Sequence, residues 1–304
     1  MKNILITGGS GLVGTELSAI LKENGYEVAH LTRNKKSDYP YKQFLWNIKN
    51  QEIEKEAIRF ADVIIHLAGA GVADKKWTET RKKIIVESRT ESTSLLYDTI
   101  KKMPNDAPKH IISASAIGYY GMDTGDKLVD EESKAGNDFL ADVTQKWEAS
   151  VDQFESLKIP TAKIRIGIVL TKKGGALPQL AQPIKLMAGA PLGSGKQWMS
   201  WIHIDDLTRL FLHLLENKFT GVYNGVGTNP ATNKEVTKAV AKVLNKPLIL
   251  PNVPAFAMKL LLGEMAQMVL GGNKVSAKKT LNSGFEFKYE KLEEALVDIY
   301  KPAP

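Results

Sequence analysis

The sequence predicts an α/β protein built on a doubly wound parallel sheet, with a smaller C-terminal lobe. Three observations carry this. Short apolar runs suited to central parallel strands recur, as in Ile4 to Ile6, Val63 to Leu67 and Ile164 to Leu170. Segments with helical apolar spacing separate those runs, and right-handed crossovers then build one sheet with helices on both faces. Glycines gather where the first run ends, at Gly8, Gly9, Gly11 and Gly14.

Composition sets the bounds. The 304 residues can bury a full core, and 43% apolar with 25% charged residues is ordinary for a globular protein. The net charge of +7 is scattered in lysine pairs such as Lys35-Lys36 and Lys278-Lys279, which read as solvated surface and not as a nucleic-acid footprint. The chain has no cysteine, which excludes disulfides, thiolate catalysis and cysteine metal sites, and no other metal site is read. Met1 leads almost at once into the first strand, leaving no room for a signal peptide, and no apolar run approaches ~20 residues. A cytoplasmic protein without a membrane partner, monomer or homodimer, is expected.

In order, Asn3 to Thr7 reads as a buried strand and Leu12 onward as an amphipathic helix, with Leu17, Ile20 and Leu21 apolar. Gly8, Gly9 and Gly11 permit a tight turn with close backbone approach, and Gly14 lets the helix pack on the strand. Phosphates belong at the free N–H groups of such a helix start, which makes this a Rossmann-type dinucleotide site. Its contacts are expected from Gly8, Gly9, Ser10, Gly11, Leu12, Val13 and Gly14. Tyr26 to Thr32 is the second strand, ending at Arg33-Asn34-Lys35-Lys36. An acid ~20 residues after the glycines would hold the ribose 2′-hydroxyl of NAD, whereas Arg33 offers a planar cation to the 2′-phosphate of NADP. NADP is therefore read as the cofactor, with NAD the alternative.

Residues 38–50 read as irregular and Glu52 to Arg59 as a short helix. Ala61 to Gly71 is a strand ending in small residues, so Leu67, Ala68 and Gly69 are expected along the cofactor. His66, between Ile65 and Leu67, reads as a packed residue and not as an acid or base. Trp77 to Ile100 is a long helix on which Arg81 and Arg89 are either surface charges or phosphate-facing. Lys109 to Gly121 is a strand ending in hydroxyls and two tyrosines. Ser113 is placed beside the cofactor, and Ser115, Tyr119 and Tyr120 are candidate catalytic residues, since hydroxyls there can hydrogen-bond a substrate oxygen.

A helix from Asp138 to Phe154 and a strand from Thr161 to Leu170 complete the nucleotide domain, residues 1–170. Past Leu170, Gly174, Gly175, Pro178, Pro183, Gly189, Pro191, Gly193 and Gly195 suit loops closing over a ligand. Residues 171–304 therefore read mostly as a substrate lobe, with the strand near 221–226 returning to the main sheet. Trp201 and His203 are expected against the substrate, and Asp205 as the cap of the next helix. A helix over 233–245, capped by Thr232 or Asn233, and a Met- and Leu-rich helix from Phe256 to Leu270 follow.

Together, Thr7 to Gly14, Asp62 to Gly69, Ser113 to Gly121, Arg165 to Leu170 and Trp201 to Leu207 resemble the extended short-chain dehydrogenase/reductase superfamily. More narrowly, the chain resembles the atypical branch called epimerase-family proteins, whose C-terminal segment is similar to Pro254 to Met265 and Gly284 to Phe287. The resemblance implies NADP binding. Active members of the superfamily carry a Tyr-x-x-x-Lys pair in which lysine lowers the phenol pKa. With Glu148 as landmark, those positions here hold Leu140 and Thr144. Two readings stay open: an NADP-dependent oxidoreductase or epimerase acting on a small polar, nucleotide-linked substrate, or a non-catalytic NADP-sensing protein.

Overall fold

A computed structural model describes residues 2–301. The chain opens with β1 (Asn3–Thr7), α1 (Leu12–Glu23) and β2 (Glu27–Thr32), then β3 (Lys42–Asn47), β4 (Glu52–Ile53), α2 (Lys55–Phe60) and β5 (Val63–His66). There follow α3 (Glu79–Lys101), β6 (His110–Ala116), β7 (Leu128–Val129), α4 (Phe139–Asp152), β8 (Thr161–Ile166) and β9 (Ile168–Leu170). The remainder holds α5 (Ala176–Lys185), β10 (Trp198–Met199), β11 (Trp201–His203), α6 (Ile204–Glu216), β12 (Gly221–Gly225), β13 (Ala231–Thr232) and α7 (Asn233–Val243). It ends with α8 (Ala255–Leu262), α9 (Ala266–Leu270), β14 (Lys274–Val275), α10 (Lys278–Asn282) and α11 (Leu292–Tyr300).

One sheet of eight strands runs in the order β12-β8-β6-β5-β1-β2-β3-β4, parallel except for the β3–β4 pair. Its centre is dry because its strands are nearly continuous apolar runs, with Ile4, Leu5, Ile6, Val63, Ile64 and Ile65 fully buried. The order reverses between β1 and β5, so connections leave β1 in one direction and β5 in the other. Right-handed crossovers then put α1 and α3 on opposite faces, where α1 packs on α6 and α3 on α4. Ligands of such sheets bind at this reversal, outside the carboxyl ends of the strands.

The strand near 221–226 returns to the sheet as β12, paired with β8 from Gly221↔Ala162 to Gly225↔Ile166. A second apolar cluster joins Leu170, Leu177, Ile184, Trp201, Val236, Val240, Leu292 and Leu296, so α5, α7 and α11 share a core of their own.

Four local expectations need correction. Residues 42–47 are not irregular: β3 pairs with β2, and Phe44 and Trp46 are buried on one face while Leu45 and Asn47 on the other are exposed. The strand expected over 161–170 breaks at Gly167, whose N–H bonds Gly225 O, and β9 turns away to pair with β11. Residues 176–185 form a helix, because Pro178 lies in its first turn, where no amide donor is required. The helix expected over 256–270 is interrupted by Gly263, whose φ of 62° lies in the left-handed region.

Candidate active site

The glycine turn follows β1 directly. Gly8 has φ 70°, and a methyl added there would meet the Leu67 carbonyl carbon at 2.9 Å, so the turn lies against the chain leaving β5. A methyl on Gly14 would strike Gly8 O and come within 2.6 Å of Gly9 Cα, so the helix can approach only as glycine allows. A methyl on Gly9 would reach the His30 ring at 2.5 Å, and that ring is pinned to Ser18 Oγ and Tyr39 OH at 2.7 Å each. Gly11 is the N-cap of α1 and brings no side-chain acceptor, and the first turn carries no acid. The orphan N–H groups at the start of α1 are thus aimed at the turn with no side chain to satisfy them. This cradle fits a dinucleotide pyrophosphate, because every close approach is made by a glycine and the helix end supplies the donors.

Thr7 ties the turn to β5. Its hydroxyl accepts the N–H groups of Leu67 and Ala68, both at 3.1 Å, and donates to His66 Nδ1 at 2.7 Å. The ring proton of His66 therefore sits on Nε2 and points to Thr93 Oγ1, 3.1 Å away. His66 is buried and neutral, pushed down to about 4 by burial and then by the nearby Arg89, which makes it the packed residue expected. Beyond it, Gly69 lies against Arg89: a methyl there would be 3.1 Å from Arg89 Cζ.

At the end of β2, Arg33 lines a cavity of about 880 Å³ with Asn47, Lys49, Ser88, Thr90 and Glu91.

The end of β6 holds the candidate catalytic group. Ser115 is only 3% exposed, and its hydroxyl donates to Glu148 Oε1 at 2.5 Å. Glu148 also receives Arg165 through Nε to Oε1 at 2.8 Å and Nη2 to Oε2 at 2.9 Å, a bidentate buried pair. Arg165 Nη1 donates to Tyr120 OH at 3.2 Å, and Tyr120 donates to Asn224 Oδ1 at 2.7 Å. Tyr120 is 4% exposed, and burial pushes its phenol up to about 12 even with Arg165 beside it. Ser115 and Tyr120, expected to touch substrate, are instead members of a buried network joining β6, α4, β8 and β12. Tyr119 differs: it is half-buried, and the Arg165 guanidinium stacks 3.4 Å from its ring centre. Ser113 is fully buried and spends its hydroxyl on Ala114 O. It offers a cofactor no surface there.

Leu140 and Thr144 stand beside this strand end. A methyl on Gly118 would lie 3.3 Å from Leu140 Cβ and 3.5 Å from Thr144 Oγ1, and the Thr144 hydroxyl donates to Leu140 O. Neither side chain can act as the lysine-assisted phenol.

Trp201 and His203 do not line a ligand surface. Trp201 is 1% exposed in the second apolar cluster. His203, 2% exposed, is itself the N-cap of α6: its Nδ1 accepts the Asp205 N–H, which corrects the expected Asp205 cap. The ring proton then belongs on Nε2, 3.4 Å from Asp298 Oδ2, while the ring packs on Tyr289. Thr232 does cap α7, in a capping box with Glu235.

Glu148 and Arg165 escaped the sequence reading as a pair. The signal was an arginine inside the apolar run Ile164 to Leu170, since a charge is buried only with a partner. Among the described residues no helix is long and apolar enough to cross a membrane.

Residues 4–144 match the family described as NAD dependent epimerase/dehydratase, and residues 253–299 match a domain of unknown function. The chain is 39% identical to the chloroplastic SDR39U1 homolog of Arabidopsis thaliana, an epimerase family protein, over 96% of this chain and 85% of that protein. It is 37% identical to an epimerase family protein of Staphylococcus aureus, over 99% of this chain and 100% of that one. The crystal structure of human SDR39U1 (isoform 2) with NADPH superposes with TM-score 0.86 at 30% identity, covering 99% of this chain and 100% of that chain. UDP-glucose 4-epimerase of Thermotoga maritima shares the fold at 17% identity, TM-score 0.78, over 99% and 98% of the two chains. Cradle, sheet order and sequence agree: the chain belongs to the NAD dependent epimerase/dehydratase family, among its SDR39U1-like epimerase family proteins.

Proposed function

We propose that the protein binds NADP(H) across the end of the sheet and reduces a carbonyl of a small polar, nucleotide-linked substrate. The observation that carries this is the glycine cradle at the uncapped start of α1, with Arg33 set in the cavity at the end of β2. Gly8, Gly9, Ser10, Gly11, Leu12, Val13 and Gly14 would hold the pyrophosphate, Arg33 the 2′-phosphate, and Leu67, Ala68 and Gly69 the flank. That a relative was solved with NADPH supports NADP over NAD. When bound, the cofactor supplies or accepts a hydride.

This chain's own residues orient the substrate and deliver a proton. Tyr119 is the phenol with surface to offer, and Arg165 fixes its ring from beneath. Its O–H can donate a proton to a substrate oxygen, and among the described residues no lysine stands beside it to draw the proton back off, so it serves reduction better than alcohol oxidation. We assign residues 171–304 the substrate lobe. The loop at Gly174 and Gly175 supports this, because a methyl on either would lie within 3.7 Å of Leu12 at the start of α1.

A second reading, a non-catalytic NADP sensor, is favoured by Leu140 and Thr144 beside Gly118. A carbonyl-substrate screen following NADPH absorbance separates the two. Turnover that falls about 10²-fold or more in Tyr119→Phe supports the reductase. Tight NADPH binding without turnover of any substrate favours the sensor, and native rates in Tyr119→Phe remove Tyr119 from the chemistry.

A further inference from the structure

Two arginines of this protein are drawn in from solvent, and only one has a counter-ion. Arg165, buried, is neutralised by Glu148. Arg89, half-buried on α3, gives Nη1 to two carbonyls, Ala70 O at 3.0 Å and Ile85 O at 2.8 Å, and no described carboxylate pairs with it. Arg81, two turns earlier, gives Nη2 to Gly71 O and reaches the exposed Asp74 at 3.4 Å, while its Nε is buried with no partner. A cation taken out of water and left without a counter-ion is costly, and Arg81, two turns away, repels it. Burial, followed by the charge of Arg81, lowers Arg89 to about 10.

The place of this pair is specific. The guanidinium of Arg89 lies on Gly69, the third residue past β5, where an added methyl would be 3.1 Å from Arg89 Cζ. It stacks 4.9 Å from the ring of Trp147 on α4, the helix whose Leu140 and Thr144 meet Gly118. The cavity that holds Arg33 uses a different face of α3, the one carrying Ile84, Glu87, Ser88 and Glu91. The pyrophosphate donors are at the start of α1, and the glycine turn before them lies against Leu67 and Ala68, next to Gly69.

We propose that Arg89, with Arg81 behind it, is a substrate-binding residue that receives a phosphate or carboxylate group beside Gly69. This rests on the NADP(H) reading above and adds the substrate's charge to it. An anion there would accept the Arg89 N–H groups that no protein acceptor takes, and would neutralise a charge that the fold leaves bare. Lys75 and Lys76 are exposed on the loop that leads from Gly69 to α3 and add to its positive charge.

Calorimetric titration tests this with inorganic phosphate, UDP and glucuronate as probes, each added to NADPH-saturated protein. At least one probe is expected to bind, to weaken about tenfold or more in Arg89→Gln, and to recover in part in Arg89→Lys, with NADPH affinity unchanged within about twofold. Far-UV circular dichroism of both variants verifies the fold. Three results overturn the proposal: no probe binds, a probe binds Arg89→Gln as tightly as the native protein, or the probe displaces NADPH, which would make the anion site the cofactor's. Failure of the NADP(H) reading shows separately, as absent NADPH binding in the native protein. The probes are then titrated without NADPH, and dependence on Arg89 still decides the anion site.

Discussion

Glu148→Ala is the substitution whose consequence follows most directly from the structure. The carboxylate accepts three hydrogen bonds, one from Ser115 and two from Arg165, with side-chain exposure of 7% for Glu148 and 4% for Arg165. Removing it leaves a buried guanidinium without its counter-ion, its Nη1 still on Tyr120 OH, which costs about 3–5 kcal/mol. Set against a total stability of about 5–15 kcal/mol, that is a large fraction. Urea unfolding followed by circular dichroism and by tryptophan fluorescence reads the loss as a shift in midpoint. Replacing both partners, Glu148→Leu with Arg165→Met, should recover most of it, because a buried ion pair and a packed apolar pair of similar volume are close in stability. Ser115→Ala removes one hydrogen bond and should cost about 1 kcal/mol, and Tyr120→Phe removes two and should cost about 2 kcal/mol. A loss below about 1 kcal/mol in Glu148→Ala would mean that the network does not hold the end of β6 as described.

Other outcomes follow from the cradle and its histidines. Gly14→Ala should destabilise the fold by about 1–3 kcal/mol and weaken NADPH binding, because the added methyl meets backbone atoms of Gly8 and Gly9 that cannot step aside; unchanged melting and affinity would contradict the packing. Gly11→Val should leave the chain folded, since a methyl there meets only Gly8 O at 3.2 Å, yet abolish dinucleotide binding; undiminished NADPH titration would move the site. His66 titrates near 4 when folded and near ~6.5 when unfolded, so the unfolded chain takes the proton first and stability falls as pH drops from about 6.5 toward 4. At ~1.36 kcal/mol per pKa unit this is worth about 3 kcal/mol, and His66→Asn should lose that part of the slope in urea midpoints measured across this range.

The legible parts of the fold were those whose signal is local. Central strands such as β1 and β5 are buried on both faces and read as apolar runs, and the glycine turn is written in consecutive residues. β3 was missed because it lies near the sheet edge behind Pro40, although Phe44 and Trp46 alternate as a half-buried strand should. Pro178 and Pro183 disguised α5, since Pro178, in the first turn, looks in sequence like a proline that breaks a helix, and Pro183 lies within the helix itself. The site divides the same way. The glycine turn stands directly after a strand, so spacing finds it, whereas the fate of Ser115 was decided by Glu148, 33 residues on, and by Arg165 on another strand. His203 misled because a histidine beside two aspartates reads as chemistry, and only the path of the backbone shows it capping α6.

The NADP(H) assignment is tested most directly by titrating the native protein and Arg33→Asp with NADPH and with NADH, following tryptophan fluorescence. Arg33 at the mouth of the cavity should make NADPH bind at least about tenfold more tightly than NADH, the worth of a charge-assisted contact to the 2′-phosphate, and Arg33→Asp should reverse the order. Equal affinity of the native protein for the two, or a preference for NADPH that survives in Arg33→Asp, would contradict the assignment.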